Sequence, residues 1–118
     1  MARSDFIVTV RDGPRVTRER FPTLDTALDA LEAATADRAG RQLRDTVDLR
    51  YREFAPVAQV AVRAEVSGPG RGPAAVRGGV DVRGDGSAEA YTGRVRRRLV
   101  QSQAGESVYQ ALRRVLAG

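Results

Sequence analysis

Arg94, Arg96, Arg97 and Arg98 place four guanidiniums within five residues, the densest cationic run in the chain. A guanidinium is planar, permanently charged and able to grip two oxygens at once, so the run points to phosphate, either of nucleic acid or of a small anion. Arg113 and Arg114 add a second basic pair near the C-terminal end. In a β-strand the run would divide, because residues 96 and 98 face away from residue 97. Tyr91 stands alone as a neighbouring aromatic, which is little for a surface that stacks bases. The plainer reading of the run is a solvated sheet edge.

The remaining reactive groups are carboxylates, hydroxyls and three tyrosines. Asp25, Asp29 and Glu32 fall on one flank of a helix and have the chemistry of a hard-cation site, but an acidic solvent-facing flank is the favoured reading. Tyr51, Tyr91 and Tyr109 have the chemistry of pocket acids, or of amphipathic packing at a core boundary. Arg83-Gly84-Asp85 spells an adhesion tripeptide but sits where a glycine turn is needed. Gly70-x-Gly72-x-x-Ala75 loosely matches a dinucleotide fingerprint. That fingerprint requires a helix to open next, and Pro73 with a strand pattern follows instead.

The absences are firmer. The 118 residues contain no Cys, His, Lys, Trp or Asn, and all 20 basic residues are arginine. Ordinary zinc sites, disulfides, thiol chemistry, lysine Schiff bases and Ser-His-Asp or Cys-His nucleophiles are excluded. Ala, Gly, Val and Arg dominate together, a pattern of GC-rich coding, so arginine content alone is no nucleic-acid signal. Ile7 to Val10 is too short an apolar run for a signal peptide or a membrane span. The expectation is a cytoplasmic protein that contacts no membrane. The net charge of +5 is uneven: residues 21–40 carry four acids and one arginine, and residues 81–100 carry five arginines and three acids.

The elements that must position these groups can be read in order. Residues 5–11 and 15–21 flank Asp12-Gly13-Pro14 as a hairpin, with a polar second arm suited to a sheet edge. Thr23 is placed to cap a helix. Its apolar stripe is Leu24, Ala27, Leu28, Leu31 and Thr35, and Gly40 is the expected end or interruption. Residues 41–54 fit both periods: Leu43, Val47, Tyr51 and Phe54 share a helical face, whereas Thr46, Val47, Leu49 and Tyr51 alternate as a strand. A strand over 46–54 is the preferred reading. Residues 57–67 alternate cleanly, with Ala58, Val60, Val62, Ala64 and Val66 on one face. Residues 67–75 form a Gly- and Pro-rich loop.

Residues 77–100 read as a hairpin whose register follows from side-chain size. A three-residue Gly84-Asp85-Gly86 loop sets Arg83 opposite Ser87, Val82 opposite Ala88 and Val80 opposite Ala90. Asp81 then meets Glu89, a repulsion that nearby arginines can offset. Gly93 is expected to bulge the second arm, because the apolar positions change parity after Ala90. Ser107 and Gln110 form a capping box for a last helix over 108–117.

The α-β-β-β-α order from 24 to 117 resembles double-stranded-RNA-binding domains and the ribosome-hibernation factor fold. The tyrosine-then-alanine spacing of GESVYQALRRVL is similar to the final helix of the hibernation factors. The basic helix start of the RNA-binding domain is replaced here by Gly105, Glu106 and Ser107, and both families lack an N-terminal hairpin. No residue role is carried over from either.

These readings combine into one α+β domain over 1–118. It is a two-layer sandwich, an antiparallel sheet of four to six strands with two helices on one face, in the order ββ-α-β(β)-ββ-α. The expected function is a non-enzymatic binding or interaction module without catalytic residues, metal or cofactor. Homodimerisation is expected as cover for a partly apolar open face, and a protein partner is the other expectation. The alternative is an RNA- or ribosome-associated protein contacting its partner through Arg94, Arg96, Arg97, Arg98, Arg113 and Arg114. The least favoured reading is a carboxylate- or tyrosine-based enzyme.

Overall fold

The computed structural model describes residues 5–48, 60–70, 75–93 and 96–117, with the side chains of 37–48 left out. The chain runs β1 (Phe6–Asp12), β2 (Arg15–Phe21), α1 (Leu24–Asp48), β3 (Val60–Gly68), β4 (Val76–Arg83), β5 (Ala88–Thr92), β6 (Arg98–Leu99) and α2 (Val108–Ala117). Six strands form one sheet in the order β2-β1-β3-β4-β5-β6, with every neighbouring pair antiparallel. The α+β class and the ββ-α-β-ββ-α order expected from the sequence are both present. The two-residue β6 closes one edge, and polar β2 forms the other. No helix among the described residues is long and apolar enough to cross a membrane.

Alternation decides which sheet face is covered. Val8 on β1, Val62, Ala64 and Val66 on β3, Val80 and Val82 on β4, and Ala90 on β5 all point to the helices. Ala27, Leu28 and Leu31 of α1 and Leu112 of α2 complete that buried cluster. α1 lies on β1, β3 and β4, and α2 on β4 and β5. Both helices begin as the sequence indicates. The Thr26 amide donates to Thr23 Oγ1 at 3.1 Å, and the Gln110 amide donates to Ser107 Oγ at 3.1 Å. Gln110 answers by accepting from the Ser107 amide at 2.8 Å, which completes the reciprocal box.

The β4–β5 register is the one that side-chain size requires: Val80 opposite Ala90, Asp81 opposite Glu89 and Val82 opposite Ala88. The Arg83 amide donates to the Ser87 carbonyl at 2.9 Å, closing the three-residue loop. Arginines do offset the acidic pair: Arg63 holds Asp81 through two bonds, at 2.6 and 3.0 Å, and Arg83 holds Glu89 at 2.7 Å.

Three local expectations need correction. The strand preferred over 46–54 is not formed at 46–48, because α1 continues through Gly40 to Asp48; residues 49–54 lie outside the described residues. One glycine costs a helix about 1 kcal/mol relative to alanine. Ala39, Arg41, Gln42, Leu43 and Arg44 are all good helix formers, so that cost does not stop it. Val60, expected on the inward face of its strand, is 39% exposed, and the β3–β4 pairing shifts register between Val60 and Val62. The second arm of the last hairpin does not run to residue 100. Gly93 has φ of +105°, a conformation that L side chains rarely adopt, and the chain turns there. Residues 98–99 then pair back onto β5.

Candidate functional site

The face of the sheet away from the helices is polar, and its pattern is set by cross-strand rows. One row runs Arg18, Thr9, Glu65, Gly79, Tyr91 and Leu99 across all six strands. The next runs Val16, Arg11, Arg63, Asp81 and Glu89. A third runs Arg20, Ile7, Ser67 and Arg77. Residues directly opposite lie within roughly 5.5 Å of each other, and diagonal neighbours within roughly 8 Å. Side chains in these rows therefore share one surface.

That surface encloses a concavity of about 550 Å³. Five arginines line it, Arg11, Arg18, Arg63, Arg77 and Arg97, beside Glu65, Thr9, Ser67 and Ile7. Beside it on β4, directly opposite the lining residue Glu65, stands Gly79. A β-carbon there would collide with the Ala64 carbonyl and come within 2.8 Å of the Tyr91 hydroxyl. Because that position is bare, the Tyr91 ring lies across β4, and its hydroxyl donates to Glu65 Oε2 at 2.8 Å on β3. Glu65 Oε1 meanwhile accepts from Arg77 Nη2 at 2.6 Å. The guanidinium of Arg97 stands 4.6 Å above the Tyr91 ring centre, with Arg63 5.7 Å from the same centre. Tyr91 is consequently only 2% exposed.

Electrostatically the face has two unlike halves. On β3, β4 and β5 the charges are paired, Arg63 with Asp81, Arg77 with Glu65 and Arg83 with Glu89. On β1 and β2 the outward positions are Ile7, Thr9 and Arg11, and Val16, Arg18 and Arg20, with no carboxylate among them. Arg11 and Arg18 make no ion pair with any described residue. Arg11 also stands directly opposite Arg63, and like charges so placed repel. Burial, reinforced by the hydrogen bond to Glu65, pushes the Tyr91 phenol far above its ordinary range. It is therefore a fixed hydrogen-bond donor rather than a base.

Of the six arginines singled out in the sequence, Arg97 alone lines the concavity. Arg96 and Arg98 are exposed, with Arg98 opposite Thr92 in β6, and Arg94 lies outside the described residues. Arg113 and Arg114 belong to the helical layer. Arg113 reaches α1, where it binds Asp25 and Asp29, the latter at 2.7 Å. Two of the three carboxylates considered for a cation are thus engaged by a guanidinium. Arg114 binds Glu106 Oε2 at 2.9 Å and the Gln101 carbonyl at 3.1 Å, which tacks the segment before α2 onto the helix. The bond from Arg114 holds the Glu106 carboxyl below its ordinary range. Tyr109 is 2.8 Å from the Thr35 hydroxyl, a second link between the helices. Burial raises its phenol too.

Sequence reading missed Arg11, Arg18, Arg63 and Arg77 as a group because they are 7 to 66 residues apart in the chain. The available signal was their parity: each alternates with an inward-facing residue of its strand. Comparison with protein-family models, with curated proteins and with solved structures finds no match to this chain.

Proposed function

We propose that the protein is a non-enzymatic binding module that takes a phosphate-bearing anion on its open sheet face. The observation that carries this reading is Arg11, set opposite Arg63 and diagonal to Arg18, with no carboxylate on the outward positions of β1 and β2. Packing like charges at adjacent sites costs free energy that a bound anion recovers. The tyrosines give the enzymatic reading little to work with. Tyr91 is covered and held protonated, and both oxygens of its partner Glu65 accept hydrogen bonds. A second copy of the chain is the less favoured occupant of this face. Two-fold pairing would bring identical arginine sets together, a like-charge juxtaposition.

Salt elution from immobilised heparin tests the reading. Arg11→Ser with Arg18→Ser, and Arg113→Ser with Arg114→Ser, each remove two positive charges. The first pair is expected to elute at clearly lower salt than the second, whose elution stays near that of the unmodified protein apart from the change in net charge. Equal elution of the two double variants would mean that only net charge matters, and the site would be abandoned. An effect confined to the Arg113 and Arg114 variant would instead favour the helical layer.

A further inference from the structure

We infer that the anion is compact and carries two or three adjoining phosphate groups, a pyrophosphate or triphosphate type of molecule rather than a nucleic-acid strand. This rests on the anion-binding reading above and narrows it. Five guanidiniums line the concavity, and two carboxylates, Glu65 and Asp81, are bonded to them. Three positive charges are left over. One phosphate group carries about −1.5 to −2 near neutral pH, so a single group leaves the site under-neutralised and two linked groups match it.

Reach gives the same answer. Arg18 is on β2 and Arg77 on β4, three strand spacings or about 14 Å apart between backbones. Arg97 approaches from the connection between β5 and β6. One phosphate cannot touch all of these groups, whereas a short chain of phosphates can lie across β1 and β3. The donors are partly set in advance. Arg63 spends Nε and one Nη2 hydrogen on Asp81, which fixes its plane and leaves three N–H groups for a ligand. Glu65, locked from behind by Tyr91, steadies Arg77. Thr9 and Ser67 supply hydroxyl donors. Preorganised donors lose less freedom when the ligand arrives.

A nucleic-acid strand fits the same surface poorly. Sequence-tolerant binding of single strands relies on aromatic faces on which bases stack. The aromatic in these rows, Tyr91, is 2% exposed and has Arg97 above its ring. Ile7 is the apolar side chain of the lining, so there is little for a base to rest against.

Isothermal titration calorimetry at fixed moderate salt tests the inference, with sodium triphosphate as one probe and a ten-nucleotide single-stranded RNA as the other. One-to-one triphosphate binding, weakened at least tenfold by Arg11→Ser or Arg18→Ser and within twofold of normal in Arg113→Ser, is the expected result. Circular dichroism of each variant separates lost binding from lost fold. RNA bound through Arg11 and Arg18 while triphosphate is not would overturn this inference and leave the anion-binding reading standing. Failure of both probes to bind, or triphosphate binding indifferent to Arg11 and Arg18, would overturn both.

Discussion

Gly79→Ala is the substitution that most directly tests how Tyr91 is seated against Glu65 beside the concavity. The new methyl group would press on the Ala64 carbonyl of the neighbouring strand, 2.8 Å from the Tyr91 hydroxyl and 3.0 Å from its ring carbon Cζ. Neither partner is a flexible side-chain end: one is sheet backbone, and the other is a ring held by Glu65 and lidded by Arg97. Forcing a methyl into a packed site costs roughly 1–3 kcal/mol. Displacing the ring also breaks a hydrogen bond to a charged carboxylate, roughly 1.5–3 kcal/mol. Alanine recovers roughly 0.5–1 kcal/mol by restricting the unfolded chain. The net loss should be about 2–5 kcal/mol. In urea unfolding followed by circular dichroism, with a slope of about 1–3 kcal/mol per M, the midpoint should fall by at least about 0.7 M. The same substitution made in Tyr91→Ala should cost at least about 1 kcal/mol less, because only the Ala64 carbonyl then stands in the way. A loss below about 1 kcal/mol, or strict additivity of the two changes, would show that Tyr91 does not rest on Gly79.

The paired and unpaired halves of the open face should respond differently. Arg11→Thr removes the charge opposite Arg63 and puts a good strand former in its place, so stability should rise by roughly 0.2–1 kcal/mol. A fall in thermal midpoint would contradict the like-charge argument. The tyrosines make stability depend on alkaline pH. A phenol raised above its unfolded value of about 10 keeps a proton that the unfolded chain gives up. Its contribution is therefore complete below about pH 10 and is lost as pH climbs beyond it, by at most about 1.4 kcal/mol per pH unit for each group. Tyr91→Phe should flatten that decline in urea midpoints taken between about pH 9 and 11.5, leaving the part due to Tyr109. Parallel slopes for the two proteins would remove Tyr91 from the account.

Much of the fold was legible because its determinants are local or periodic. The Thr23 and Ser107 caps, the stripe from Leu24 to Thr35 and the alternation of Val62, Ala64 and Val66 each lie within a few residues of one another. The β4–β5 register was readable because valines opposite alanines allow one alignment and exclude its neighbour. Where reading failed, two physical states were close in energy. Leu43 and Val47 suit a helical face as well as Val47 and Leu49 suit a strand, and a single glycine penalty at position 40 is too small to decide between them. The turn at Gly93 was visible only as a parity change. A bulge and a full reversal give the same signal until the return strand, two residues long, finds β5.

The site was less legible for a different reason. A charge run such as 94–98 is conspicuous in sequence, yet side chains adjacent in a chain seldom converge, and here the described members disperse to the concavity, the edge and solvent. Convergence comes from register instead. Arg11, Arg63 and Asp81 share a row because β1, β3 and β4 are aligned to within a residue, and a slip of one position would turn every one of them toward the helices. The inward valines that fix the register thus also fix where the arginines stand. Gly79 joins the two requirements. It belongs to the outward parity of β4 and carries no charge, yet its lack of a side chain lets Tyr91 cross to Glu65 and so steady Arg77. The proposed binding surface therefore depends on the core packing opposite it. A core substitution that shifts β3 against β4 should therefore weaken anion binding through Arg63 and Arg77 even though it touches no residue of the concavity.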